Sequence, residues 1–159
     1  MSTIIPPRPR QVGPKRKFTL IASQFNGEYV RGLIDHATRE LRAIAPSAVI
    51  TLYEVPGAFE IPIVVREVAA QKNTDAILAL SVILQGKTSH AQNLSRSVTD
   101  ALQKIALEYG VPVINAVLSL DNETQARERC LEEEINRGTE AARAAIQISN
   151  VLTELRERS

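Results

Sequence analysis

From Asp75 to Leu84 the chain is an almost unbroken apolar run, too short for a typical helix and flanked by polar residues. A strand of that composition has no face to give to water. It belongs in the middle of a parallel sheet, covered by helices on both sides. The neighbouring segments agree. Phe18 to Ala22 and Ala48 to Val55 read as strands, and Val111 to Leu118 as a fourth. Between them, Val30, Leu33, Ile34, Ala37, Leu41 and Ile44 recur at helical spacing, which predicts a helix over 28–45. Further helices are expected over 58–71, with Pro62 in the first turn, and over 88–109, stopped by Gly110. Two more are expected over 123–133 and 136–158. Alternating strands and helices predict an α/β fold: a three-layer αβα sandwich on a four-stranded parallel sheet, flavodoxin-like in plan.

At 159 residues this is a single domain, expected over 17–159 behind an N-terminal arm of residues 1–16. The arm differs in kind from the rest. Up to Lys17 the chain carries five basic residues and no acid, with Pro6, Pro7, Pro9 and Pro14 among them. Such a segment cannot form a helix, and an extended arm on the surface is expected. The remaining 14 basic residues are set against 18 acidic ones, so the net charge of +1 averages a basic arm and a mildly acidic body. A nucleic-acid arm is the sharper reading, but the arm has no aromatic residue and the body is acidic, so no nucleic-acid partner is expected. The chain shows neither a secretory apolar stretch nor a run long enough to span a membrane, so the expectation is a cytoplasmic protein without a membrane partner. One cysteine and two histidines argue against a disulfide framework and against a metal centre.

In parallel α/β folds ligands sit beyond the carboxyl ends of the strands, so the loops after Ala22, Tyr53, Leu84 and Leu118 carry the functional candidates. The third loop, Gln85 to His90, is the most informative. Gly86 lets backbone approach a ligand, Thr88 or Ser89 can cap the following helix, and Lys87 adds charge to a helix N-terminus suited to an anion. Gly86-Lys87-Thr88 looks like the end of a nucleotide phosphate loop. That pattern requires a glycine five positions earlier, where Ser81 stands. His90 sits beside the anion position. Imidazoles exchange protons near neutral pH, although a lone histidine is more often a hydrogen-bonded surface residue. In the second loop, Ala58, Phe59 and Glu60 offer backbone donors, a ring and a carboxylate, or simply a strand–helix turn. Phe25, in the first loop, is either a stacking ring for a flat heterocycle or a cap on the core. After the fourth strand, one of Arg127 and Arg129 could reach a phosphate, while helix-surface ion pairs explain many such charges.

Taken together these segments resemble the lumazine synthase family over about Phe18 to Val151. VPGAFEIP from Val55 to Pro62 matches its second-loop motif, and Val82, Ile83, Gly86, Thr88 and His90 fill its V-I-x-x-G-x-T-x-H frame. Phe25-Asn26, Pro112-Val113-Ile114, Gln125-Ala126, Arg129 and Asn136-Arg137-Gly138 follow in order. The resemblance implies condensation of 5-amino-6-(D-ribitylamino)uracil with 3,4-dihydroxy-2-butanone 4-phosphate, without a cofactor. It implies that Phe25 stacks on the pyrimidine. Ala58, Phe59, Glu60 and the backbone of Val82, Ile83 and Leu84 hold ring and ribityl chain. Lys87, Thr88 and Arg129 receive the phosphate, and His90 shuttles protons. Asn115 falls where an aromatic wall residue is common, Gln85 where a basic residue is frequent, and Ala91-Gln92 where an aromatic–acid pair is usual. Arg137 replaces a common lysine, and Leu131 with Glu132 to Glu134 replaces a Gly- and Lys-containing turn. The family also implies a homo-oligomer, a pentamer with shared sites or a 60-subunit shell. Pro6, Pro7 and Pro9 remove donors from the strand a shell would need, which favours the free pentamer. The alternative is a paralogue that binds lumazine or flavin without catalysis.

Overall fold

The computed structural model describes residues 2–158; Met1 and Ser159, the outer ends of the expected arm and domain, lie outside them. In chain order the elements are β1 (Lys17–Ser23), α1 (Gly27–Ile44), β2 (Val49–Val55), a 3-10 turn (Ala58–Glu60) and α2 (Ile61–Gln71). Then come β3 (Ala76–Leu84), α3 (His90–Tyr109), β4 (Val113–Leu120), α4 (Glu123–Cys130) and α5 (Arg137–Glu157). The four strands are all parallel, in the order β2-β1-β3-β4. This is the three-layer α/β architecture expected from the sequence.

β3 is buried along its whole length except for Leu84, which is half-buried. Its alternate side chains feed two cores. Leu78, Leu80 and Val82 pack with α1, α4 and α5, through Leu33, Leu41, Ala126, Ala142 and Ile146. Ile77, Ala79 and Ile83 pack on the other side with α2 and α3, through Ile61, Val65, Val98 and Leu102. Aromatic rings are few in both layers, and small residues let the helices come close. A Cβ on Gly138 would strike the Leu33 carbonyl, and one on Gly32 the carbonyl of Cys130. Cys130 itself packs as a small apolar residue, its thiol pKa pushed up to about 12 by burial.

Boundaries differ from expectation where particular atoms intervene. Pro62 has no N–H and must lie in the first turn of an α-helix, so Ala58–Glu60 form a separate 3-10 turn and α2 begins at Ile61. β4 starts and ends two residues later than its apolar pattern suggested, because pairing continues from Ile83 to Ser119 and from Leu84 to Leu120. α4 stops at Cys130 rather than Glu133, and α5 begins at Arg137. There the Asn136 side chain caps the helix, accepting from Gly138 N at 2.8 Å and Thr139 N at 3.1 Å.

The arm is extended and lies along α1 and α5. Glu40 of α1 is buried and accepts from Arg8 of the arm at 2.8 and 3.0 Å and from Arg143 of α5 at 2.7 Å. Arg143 also donates to Pro6 O, and Asn150 donates to Arg10 O. Arg16, buried at the arm's end, donates to Val12 O and faces Asp75 at 3.8 Å. The Arg8 hydrogen bonds, helped by Arg143, hold the Glu40 carboxyl below its ordinary value of 4.5. A depressed carboxylate contributes stability above its unfolded pKa, and that contribution is lost as pH falls through the folded value. We therefore expect Glu40→Gln to lower Tm by ~2–6 °C at neutral pH. The gap to wild type should close progressively below pH 4.5, which thermal unfolding across pH would measure.

Candidate functional site

The strand order reverses between β1 and β3: β1 leads to β2 on one side and β3 to β4 on the other. The loops leaving β1 and β3 therefore diverge and open a crevice at their carboxyl ends. A cavity of about 480 Å³ lies there, of a size that takes a small organic molecule. Its lining joins Phe25 and Asn26 after β1, Gly57 to Glu60 after β2, Ser81 to Leu84 at the end of β3, and His90, Ala91 and Leu94 of α3.

Backbone hydrogen bonds fix the loops that form it. Gln24 N donates to Val55 O at 2.8 Å and Phe25 N to Pro56 O at 3.1 Å, so the first loop is laced to the second. Asn26 adopts a left-handed conformation (φ 57°), which asparagine tolerates better than most residues. Its side-chain amide donates to Val82 O at 2.7 Å, pinning the same loop to β3. The result is an exposed Phe25 ring, 72% accessible, held at the mouth instead of capping the core. Phe59 stands at the mouth too, 68% accessible.

The polar groups are few. Glu60 accepts from Gly57 N at 3.0 Å through one carboxylate oxygen, and the other makes no hydrogen bond among the described residues. That oxygen can accept from a polyol or an N–H group. His90 is exposed at the start of α3; its backbone N–H donates to Thr88 Oγ1 at 3.3 Å, while its imidazole makes no hydrogen bond to described residues. The helix begins at His90, not Thr88, with Ser89 at its N-cap but no side-chain capping bond from it. Gly86, Lys87, Thr88 and Ser89 form an exposed loop beside the cavity without lining it. Among the described residues no His, Cys, Asp and Glu side chains cluster as a metal ion requires.

A profile of the 6,7-dimethyl-8-ribityllumazine synthase family matches residues 15–153. The chain belongs to that family. Membership puts it among the lumazine synthases of riboflavin biosynthesis and implies an enzyme of transferase type. A solved structure of a de novo designed Rossmann fold protein is also similar, at 16% identity and a TM-score of 0.39, over 71% of this chain and 91% of that one. That likeness is too slight to bear on the site.

Of the residues expected to form a lumazine synthase site, Phe25, Ala58, Phe59, Glu60, Val82, Ile83, Leu84 and His90 meet in one cavity. Asn115 and Arg129 do not. Asn115 lies exposed on β4, donating to Thr99 Oγ1 at 3.2 Å, and lines a different cavity of about 230 Å³ with Arg137 and Glu140. Arg129 is buried on α4, with Glu128 3.9 Å away and no partner for its Nε. Arg137, 5% exposed, pairs with Glu140 through Nη1 and leaves Nε and Nη2 without partners among the described residues. Its burial beside an open cavity gives the sequence's Lys-to-Arg departure a physical setting. Asn26, Ser81, Ala91 and Leu94 line the main cavity although the motifs did not assign them a role. Asn26→Gly keeps the left-handed backbone and loses the bond to Val82, and should cost ~1 kcal/mol in urea unfolding. Asn26→Ala also strains the backbone and should cost ~1 kcal/mol more.

Proposed function

We propose that the protein condenses 5-amino-6-(D-ribitylamino)uracil with 3,4-dihydroxy-2-butanone 4-phosphate to 6,7-dimethyl-8-ribityllumazine. The observation that carries this reading is the single cavity into which Phe25, the Ala58–Glu60 turn, the end of β3 and His90 converge. Phe25 is the stacking face for the pyrimidine, with the exposed ring such a contact needs. Glu60 and the backbone of Ala58 and Phe59 hold the ribityl hydroxyls, and β3 backbone groups meet the ring edge. Lys87, Thr88 and the free N–H groups at the start of α3 receive the phosphate. The pyrimidine 5-amino group attacks the butanone carbonyl and water leaves. Phosphate is then expelled, and the ribitylamino nitrogen closes the ring with loss of a second water. His90 moves protons in these steps, its imidazole without a hydrogen-bond partner among the described residues. Holding two substrates in register supplies much of the acceleration.

The phosphate clamp Arg129 and the wall residue Asn115 come from a neighbouring copy in this reading. Two features support an assembly with shared sites, a pentamer by preference. Asn115 and Arg137 line a cavity that has no residue in common with the His90 cavity. An apolar groove between α2 and α3, with Phe59 and Ile63 exposed on it, runs on from the His90 cavity through Phe59.

Mixing both substrates with the pure protein should generate the absorbing, fluorescent lumazine. No turnover by wild type would refute the enzyme reading, and ligand binding without turnover would favour the non-catalytic paralogue. His90→Ala should lower kcat by at least ~10-fold with substrate affinity nearly unchanged; acid–base groups contribute ~10²–10⁴, and positioning survives the substitution. Sedimentation should show five copies of the 17.5 kDa chain. A particle of about one megadalton would instead indicate the closed shell.

A further inference from the structure

Toward helices α2 and α3 the sheet buries three hydroxyl residues: Thr19, which is bonded to Thr74, and Ser23 and Ser81 where β1 and β3 end. There Ser23 and Ser81 lie side by side, 3% and 1% exposed, with their hydroxyl oxygens 2.7 Å apart. By strand alternation they share a sheet face with Ile21, Ala79 and Ile83, members of the apolar cluster that also holds Ala58, Ile61 and Ala91. Two hydroxyls bring two O–H donors, and the bond between them uses one. Neither has another hydrogen-bond partner among the described residues. When Ser23 donates to Ser81, the Ser81 proton is left over beside the cavity that Ser81 lines. Ser81 is part of the wall of the 480 Å³ cavity, and Ser23 is not. A buried donor without an acceptor costs free energy comparable to a hydrogen bond, so an acceptor on the occupant of the 480 Å³ cavity favours this arrangement of the pair.

We propose that Ser81, oriented by Ser23, is a specificity-determining contact that donates a hydrogen bond to an acceptor oxygen or nitrogen of the pyrimidine substrate. The inference rests on the proposed function for the identity of that substrate. The cavity's lining selects between the two substrates. Ser81 shares it with Phe25, Ala58 and Glu60, and it excludes Gly86, Lys87 and Thr88, where the phosphate is expected. A buried donor in the wall discriminates against ligands that lack the matching acceptor. Ser23 does not touch substrate; it is a positioning residue whose hydroxyl donates to Ser81 Oγ and so leaves the Ser81 proton for the cavity.

Three variants separate recognition from packing: Ser81→Ala, Ser23→Ala and the double variant. Ser81→Ala should raise KM for the pyrimidine ~5–20-fold, with KM for the butanone phosphate changed less than about twofold. Ser23→Ala, which keeps the Ser81 hydroxyl, should raise it by less. Each single variant leaves one buried hydroxyl without its partner and should lower Tm, whereas the double variant removes both and should recover most of that loss. Its pyrimidine KM should nevertheless stay as high as in Ser81→Ala. If the pair is only structural, KM will follow Tm, or remain at the wild-type value in all three, and the proposal falls. Fluorescence titration with 6,7-dimethyl-8-ribityllumazine makes the same comparison without turnover. Turnover with equal lumazine binding by wild type and Ser81→Ala would sink the serine assignment alone. Weaker binding by Ser81→Ala in a protein that does not turn over would uphold it and sink the enzymatic reading alone.

Discussion

β3 has water on neither side, and this burial fixes the arrangement of the other elements around it. Its side chains alternate between a core shared with α1, α4 and α5 and a core shared with α2 and α3. A one-residue slip against β1 would exchange the two sets, sending Leu78 and Leu80 into the space shaped for Ile77 and Ala79. Register with both neighbours is therefore specified from two directions. With it goes the level at which the strands end. Ser23, Val55 and Leu84 close their strands at the same edge of the sheet, and the cavity lies beyond that edge. The site is in this sense a property of the sheet; the loops add chemistry to a crevice that topology has already opened.

The α1–α5 layer solves a different problem, that of charge below the surface. Glu40 is buried, and its cost is offset by Arg143 from its own core layer and by Arg8 from the arm. The arm so becomes part of the fold even though it contributes almost no apolar mass. Its basic character, read from composition as that of an extended surface arm, is partly used within the chain on Glu40 and Asp75. Arg129 and Arg137 are the contrast. Both are buried without a carboxylate or carbonyl for every donor, and among the described residues both keep guanidinium nitrogens without partners, as Arg16 does at its Nε.

Most of the fold was legible in the sequence because its strongest signals are local. The apolar run of β3, the 3.6-residue spacing of α1 and Gly110 at the end of α3 each depend on few neighbours. What went astray was tertiary. The extra residues of β4 are held in the sheet by pairing with β3, which no pattern within β4 announces. Thr88 has the composition of a cap, but the loop geometry puts its hydroxyl under His90 N and starts the helix two residues later. For the site, the motif residues around Val55–Pro62 and Val82–His90 converge because each follows a strand in the same sheet. Ser81 was read only as the wrong residue for a phosphate loop. Its pairing with Ser23 joins positions 58 residues apart, and only the β1–β3 register brings them together.

The division of the expected residues also has a physical basis. A cavity floored by strand ends and a 3-10 turn is rich in backbone groups and apolar side chains, and Glu60 and His90 are the only ionisable residues in its lining. Such a surface suits a flat, polyhydroxylated molecule. It is poorly equipped to neutralise a phosphate, whose charge calls for arginine or lysine with fixed geometry. Lys87 stands on an exposed loop, and Arg129 is held in α4 against α1, tied to a layer on the far side of the sheet from α2 and α3. Moving Arg129 to the cavity within one chain would mean dismantling the Ala126–Cys130 packing that seats α4. A second copy can present it without that cost. The proposed sharing of sites between subunits is consistent with where the fold buries this cation, since Arg129 has an Nε without a partner among the described residues.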